Sequence, residues 1–316
     1  MAMRYRTAGF KGYNVKFSPF NDRLLAAATS ANFGLVGNGR LSVLQMCAGP
    51  EGLQPRQSYD TQDALFDLTW NEVHENQVAT GSGDGSIKLW DITLQQHPVA
   101  RWKEHSREVM SVEWNYTQKT TFLSSAWDGS VKLWNPVQPK SLRTFAEHTG
   151  CVYTAAWSPR QADQFATCGE DRAVKLWSVN EPNGRSVATF GGHLDQVLSL
   201  DWNKYSPELF ATSSVDRTIK IWDIRNPRGQ VSMFGPFEFS VRRVKFSPFS
   251  PHYLATAGYD MSASIWDVRT GAVTHVHDAH SEFVVGVDWS FFHPGQMATC
   301  SWDEQVHVFN VPIPQN

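Results

Sequence analysis

Histidine, a hydroxyl residue and aspartate recur in the same order four times along this 316-residue chain. The sets are His105, Ser124 and Asp128; His148, Thr167 and Asp171; His193, Thr212 and Asp216; and His280, Thr299 and Asp303. These are the residue types of a hydrolytic triad, in which a base activates a hydroxyl and a carboxylate orients the base. Two further pairs, Thr80 with Asp84 and Thr256 with Asp260, keep the hydroxyl-to-aspartate spacing of four without the histidine. A catalytic site is usually unique, whereas this set repeats, so its expected role is structural. The chain also lacks GxxxxGK[ST], HExxH and GxSxG. "NFGLVGNGRL" (32–41) looks like a phosphate loop, with Gly34, Gly37 and Gly39, but no helix-length segment follows it. The chain is expected not to be an enzyme and to use no cofactor.

The elements that carry these residues are copies of one unit. Five segments end alike: "SGDGSIKLWD" (82–91), "AWDGSVKLWN" (126–135), "GEDRAVKLWS" (169–178), "SVDRTIKIWD" (214–223) and "GYDMSASIWD" (258–267). A sixth, "SWDEQVHVFN" (301–310), has Phe309 where the others have tryptophan. The aspartates step by 43 to 45 residues, and a second apolar strand such as "VMSVEWN" precedes each ending. That period, with short alternating strands, predicts a β-propeller of four-stranded blades. "GYNVKFSPF" (12–20) matches "VRRVKFSPF" (241–249), and "GNGRLSVLQ" aligns with "GDGSIKLWD", which makes seven repeats. Asn38-Gly39 reads there as a tight hairpin turn, with Asn32 and Phe33 in a longer loop near the rim. The last repeat lacks an outer strand, so the segment near "RYRTAG" (4–9) is expected to close the ring by completing the last blade. The whole of 1–316 reads as one propeller domain.

Bulk properties narrow the function. A hydrophobic fraction of 41% and a charged fraction of 19% describe a foldable globular chain. The net charge of −3 argues against a nucleic-acid binder. Four cysteines without a CxxC pair point to a reducing compartment and give zinc no ligand cluster. No apolar run approaches membrane-spanning length, and the start carries no signal-peptide core. The expectation is an intracellular binding protein without a membrane span or a metal site.

These endings and their spacing resemble the WD40 repeat family over nearly the whole chain. In that family such residues form a buried hydrogen-bond chain, running from His through Ser/Thr and Asp to the strand tryptophan. Trp134, Trp177 and Trp222 are the matching indoles here. Thr61 and Phe237 occupy two histidine slots, so blades 2 and 6 are expected to be held less firmly by this device.

With the strands spent on packing, binding is expected on loops at one face of the ring. Trp127 and Trp302 immediately precede a structural aspartate, in the turn that reaches the top face; Tyr259 and Glu170 hold the same slot. The segments before the inner strands add Asp63, Glu108, Asp195 and Glu282, and Tyr153 completes the candidate set. An acidic rim interleaved with aromatics suits a peptide with basic groups and an apolar face, although Lys11, Arg107, Arg172 and Arg217 dilute the field.

Beyond the repeat, "GYNVKFSPF", "NFGLVGNGRLSVL", "YDTQDALFDLTW", "KEHSREVMSVEWN", "ATSSVDRTIKIWDIR" and "YDMSASIWDVR" resemble one subfamily, the receptors for the second peroxisomal targeting signal. The resemblance implies a cytosolic shuttle cycling to the peroxisome. Such a receptor binds the N-terminal nonapeptide signal of cargo proteins as an amphipathic helix. It acts with a co-receptor peroxin and delivers cargo to the docking machinery for import into the matrix. A competing reading comes from "WDIR" (222–225) and "WDVR" (266–269), which match the Trp-Asp-x-Arg pattern of substrate receptors of cullin-RING ubiquitin ligases. A third is a generic propeller scaffold.

Overall fold

Short strands separated by turn residues leave each repeat with a small sheet whose two faces are both apolar, and such sheets must stack. The computed structural model describes residues 2–313; Met1 and residues 314–316 of the expected 1–316 unit lie outside the described residues. Its strands form seven four-stranded antiparallel sheets arranged as the blades of a propeller. In the first six, four consecutive strands pair in order; blade 3, for example, comprises Val109–Trp114, Phe122–Ala126, Val131–Trp134 and Arg143–Phe145. The seventh takes three strands from the end of the chain and its outermost strand, Met3–Arg6, from the beginning. Met3 pairs with Val308 and Arg6 with Gln305, so the last blade has no bare outer edge at Gln305–Asn310.

Every junction between blades holds its own apolar cluster. Leu24, Val43, Trp70 and Trp90 join blades 1 and 2. Phe17, Leu44, Ala298 and Val308 join blades 7 and 1 across the closing strand. Inner strands such as Leu65–Trp70 and Val284–Trp289 are buried at every position, because they have neighbours on both faces. A fully buried side chain of this size stabilises by about 1.5–3 kcal/mol, so the repeated packing dominates the fold.

Polar groups add a second connection between blades. On the inner strands of blades 2, 3, 5 and 7, side chains pointing into the central channel accept a hydrogen bond from the backbone of the next blade. Asp67 takes the Val112 N–H at 2.9 Å, Glu113 the Trp157 N–H at 2.6 Å and Ser199 the Val244 N–H at 3.3 Å. Asp201 takes the Phe246 N–H at 2.8 Å, and Asp288 the Phe17 N–H at 2.9 Å across the closure. Asp201 is also held by Lys204 at 3.0 Å and Lys245 at 3.4 Å.

The buried relay differs in order from the expected one. Each histidine sits in the middle, its Nδ1 on the aspartate and its Nε2 on the hydroxyl, and the hydroxyl accepts the indole N–H. In blade 3 these distances are 2.9 Å to Asp128, 2.7 Å to Ser124 and 2.8 Å from Trp134 to Ser124. His148 and His193 repeat the pattern with Thr167 and Trp177, and with Thr212 and Trp222. The physical reason is placement: the aspartate lies in the turn at the strand tip, while the hydroxyl faces the indole across adjacent strands. Indole and hydroxyl are therefore adjacent, and the histidine spans the remaining gap to the carboxylate. In blade 7, His280 bonds Asp303 at 2.8 Å and Thr299 at 2.9 Å, and Phe309 supplies no donor to extend the chain. Trp90 and Trp266 still donate to Thr80 and Thr256, at 2.9 and 3.0 Å, in blades 2 and 6, which lack the histidine. Phe237 packs on Trp266 at 5.0 Å between ring centroids, beside a cavity of about 430 Å³ that Thr256 and Asp260 help line.

The opening loop also departs from expectation. Asn38-Gly39 is no tight turn, because strand Gly39–Met46 already pairs at Gly39 with Ser30. Gly39 is required instead by close approach: a Cβ there would lie 2.6 Å from the Asp63 carbonyl. Residues 31–38 form the loop, with Asn32 and Phe33 in the left-handed region.

Replacing His193 with alanine strands the Asp216 carboxylate and the Thr212 hydroxyl, and should cost about 1–3 kcal/mol, read as a lowered Tm. Asp201→Ala removes the partner of two lysines and should cost about 3 kcal/mol or more in the same measurement. Burial raises the Asp128 and Asp216 carboxyls, but hydrogen bonds from His105 and Ser130, and from His193 and Thr218, outweigh it. Both end well below the usual carboxylate range, and Asp171 and Asp303 are lowered in the same direction. A depressed folded pKa contributes stability above the unfolded value of about 3.9. A Tm titration should therefore be flat above neutrality and begin to fall below about pH 6.5, where the unfolded chain protonates the half-buried His277 and the buried His307. It should fall further below about pH 4 as the relay carboxyls are lost.

Candidate functional site

The face carrying the relay aspartates is built from two sets of turns. Backbone hydrogen bonds tie them together blade by blade: Trp127 N–H to the Glu108 carbonyl, Glu170 to Cys151, Tyr259 to Ser240 and Trp302 to Phe283. Equivalent slots thus sit on one face. Trp127, Glu170, Tyr259 and Trp302 share this slot, while Asp63, Glu108, Asp195 and Glu282 occupy the segments opposite.

The aromatic residues are half-buried, not freely exposed. Trp302 lies 5.3 Å from Phe33, 5.5 Å from Phe283 and 6.0 Å from Tyr13, centroid to centroid. Tyr13 meets Phe66 edge-on at 5.1 Å, and Phe66 packs with Met110, Ala64 and Trp127. A continuous aromatic band therefore runs from Phe283 in blade 7 through blades 1 and 2 to Trp127 in blade 3. Both indole N–H groups, of Trp127 and Trp302, are buried without a partner. Tyr259 stands 4.9 Å from Phe283, and together with Phe239, Arg217, Glu238 and Trp302 they line a cleft of about 330 Å³.

The carboxylates are less uniform than their spacing suggests. Asp63 and Asp195 accept the N–H of the following residue, at 2.8 and 2.7 Å, so one oxygen of each shapes its own turn. Glu170 accepts the Cys151 N–H at 3.0 Å, and that bond lowers its pKa. Glu108 approaches Arg107 at 3.5 Å, and the Arg107 guanidinium lies 5.4 Å from the Trp127 ring. Glu282 is exposed. Tyr153 donates to Gln196 at 2.7 Å, and burial pushes its hydroxyl up to about 12, so it is a neutral donor. Lys11 is held by Glu304 at 3.1 Å and does not neutralise the rim carboxylates. Toward the channel, Arg242 and Arg243 are both buried, with Arg242 on the Leu198 carbonyl at 3.4 Å and Arg243 facing Asp67 at 3.9 Å.

Sequence reasoning missed Tyr13, Phe66, Met110 and Phe283, because each looks like an ordinary strand or turn residue within its own repeat. Comparing one slot across the repeats exposes the first three: Tyr13, Phe66 and Met110 share with Tyr153 the position ahead of the channel polar residue. That reasoning placed Phe33 in the rim loop but did not single out Leu35 and Val36 beside it; Phe33 is 47% exposed, Leu35 88% and Val36 69%.

Two other readings meet their geometry here. Arg225 and Arg269 of the Trp-Asp-x-Arg pattern close back onto their own Asp223 and Asp267, with Nε–Oδ1 distances of 2.9 and 3.1 Å. Among the described residues, His277, His280 and His307 bring ring nitrogens within 4.8 Å of one another. The His280 nitrogens are already engaged by Asp303 and Thr299, and its ring stacks on His307 at 3.9 Å and 13°. Stacked rings aim their lone pairs side by side, so the trio does not converge on an ion. Burial and the neighbouring imidazoles push His277 down to about 4 and His307 to about 3.

The comparisons with known proteins agree with the repeat geometry. The family model "WD domain, G-beta repeat" matches six times, at residues 54–91, 96–135, 139–178, 184–223, 230–267 and 271–310. Over 109 residues the chain is 50% identical to a peroxisomal targeting signal 2 receptor of Saccharomyces cerevisiae, covering 34% of this chain and 29% of that protein. It is 46% identical over 108 residues to peroxisome biogenesis protein 7 of Arabidopsis thaliana, covering 34% of each. The human peroxisomal targeting signal 2 receptor is 42% identical over 112 residues, covering 35% of this chain and 34% of that one. Each match thus spans about a third of the relative's length. With six matched repeats and seven four-stranded blades, the chain belongs to the WD40 repeat family.

Proposed function

We propose that this chain is a receptor for the type-2 peroxisomal targeting signal and that it acts by binding, without catalysis. It grips the N-terminal signal of cargo proteins on the face described above. With a co-receptor peroxin it delivers them to the peroxisomal docking machinery, cycling between cytosol and peroxisome. The observation that carries the reading is the aromatic band from Phe283 to Trp127 with carboxylates along its rim. An amphipathic helix with a basic face fits it: apolar residues lie along the half-buried rings, and basic groups meet Asp63, Glu108 and Glu170. The similarity to proteins named as receptors for this signal supports the same reading. The exposed Phe33, Leu35 and Val36 beside the band offer the co-receptor an apolar edge.

Titrating a fluorescent targeting nonapeptide, with and without co-receptor, tests this. Wild type should bind. Glu108→Arg and Asp63→Arg should each weaken binding about ten-fold or more, and Trp127→Ala by a comparable factor, as loss of an interfacial aromatic does. A wild type that ignores the peptide with co-receptor present contradicts the receptor reading; equal binding by all three variants contradicts the site.

A further inference from the structure

Blade 6 keeps both ends of the relay without the ring that joins them elsewhere. In blade 5, His193 reaches Asp216 at 2.8 Å and Thr212 at 2.7 Å. Blade 6 supplies the same partners at the same spacing, Asp260 and Thr256, and Thr256 still accepts the Trp266 indole N–H at 3.0 Å. Phe237 stands in the histidine slot and has no atom to offer either group. In the four relay blades the aspartate also accepts the backbone N–H after the histidine, from Ser106, Thr149, Leu194 or Ser281. Among the described residues, Asp260 accepts only from Ser262, whose N–H lies at 3.1 Å and whose hydroxyl at 2.8 Å. Asp260 is exposed and Trp266 half-buried, whereas Asp216 is half-buried and Trp222 buried. Blade 2 also lacks the ring, but there Arg101 pairs with Asp84 at 3.0 Å. Blade 6 instead has the cavity of about 430 Å³, lined by Thr256, Asp260, Ser264 and Trp266. That volume is in the range of small-molecule sites. Its charged lining residues are Asp260 and Glu238, both carboxylates, with no basic residue beside them among the described residues.

We propose that this cavity binds an imidazole ring brought by a ligand, with one ring N–H donating to Asp260 and the other nitrogen meeting the Thr256 hydroxyl. The hydroxyl serves either charge state of the ring. It donates to the Ser264 carbonyl at 3.3 Å and keeps a lone pair for a second N–H, or it turns to donate to a bare nitrogen. Two carboxylates with no cation favour the imidazolium. Phe237, Phe239 and Trp266 offer aromatic walls to a planar ring. Glu238, Phe239 and Ser240 line both this cavity and the cleft beside Tyr259 and Trp302, so the site opens toward the upper face. A free imidazole compound and a histidine side chain share the chemistry. The inference does not rest on which peptide that face binds.

The Trp266 indole N–H reports occupancy, because it donates to the hydroxyl that the ring meets. Its NMR resonance is identified by its loss in Trp266→Phe. Titrating the full chain with imidazole should shift that resonance saturably, with half-saturation below about 10 mM. Thiazole has no N–H to donate and pyrazole has adjacent nitrogens, so each should bind at least about ten-fold more weakly. Asp260→Asn keeps an oxygen for Ser262 but loses the charge, and should weaken imidazole by about ten-fold. Phe237→His supplies the ring from the chain itself and should leave added imidazole without effect on the Trp266 resonance. N-acetyl-L-histidine amide distinguishes the sources: binding as tight as imidazole assigns the site to a polypeptide histidine, and its exclusion while imidazole binds assigns it to a free imidazole compound. No saturable shift, equal binding of thiazole or pyrazole, or undiminished imidazole binding by Asp260→Asn or Phe237→His would each overturn the proposal.

Discussion

The structure depends on one constraint: a sheet of four short strands cannot cover its own two faces. Each blade therefore needs a neighbour on both sides, and the requirement ends only when the ring closes. Closure rests on Met3–Arg6 pairing with Gln305–Asn310 and on the cluster of Phe17, Leu44, Ala298 and Val308 behind it. Apolar burial supplies the main energy, but it does not fix how blades align. Alignment comes from polar groups in the channel, where Asp67, Glu113, Asp201 and Asp288 each hold a backbone N–H of the following blade. The last of these crosses the point where the two ends of the ring meet.

The relay does a different task within a blade. In blades 3, 4 and 5 an aspartate in the turn, a histidine, a hydroxyl and an indole connect the tip of the sheet to its third strand. The turns that form the upper face are thereby attached to a rigid interior. Their side chains can then face solvent in a fixed array, which is what recognition of a helical peptide requires. The relays of blades 2 and 6 stop at the hydroxyl, and in blade 6 a cavity lies beside Phe237 and Trp266.

Much of this was legible in the sequence because repetition makes it so. The 43–45-residue step gave the blade count, and the missing outer strand of the last repeat pointed to ring closure by the N-terminal strand. What was hidden lay between repeats. The relay order could not be read from spacing, since histidine, hydroxyl and aspartate come from three places that only the pairing of strands brings together. The aromatic band was equally obscure: Tyr13, Phe66 and Phe283 look ordinary one at a time and become a surface only when blades 7, 1 and 2 are adjacent. Asn38-Gly39 misled for a local reason, because the glycine answers to the Asp63 backbone pressed against it and not to a turn. The carboxylates lie in turns on the relay-aspartate face, but their hydrogen bonds to local backbone could not be foreseen.

The central claim is that the turns on the relay-aspartate face, with the loop at residues 31–38, form the peptide-binding surface. Hydrogen exchange of the full chain, alone and saturated with targeting peptide and co-receptor, tests it most directly. The account predicts new protection at residues 31–38 and in the turns around Glu108, Trp127, Tyr259, Phe283 and Trp302, with the inner-strand ends at Trp70, Trp114 and Trp289 unchanged. Protection confined to the outer strands or to the lower mouth of the channel would contradict it.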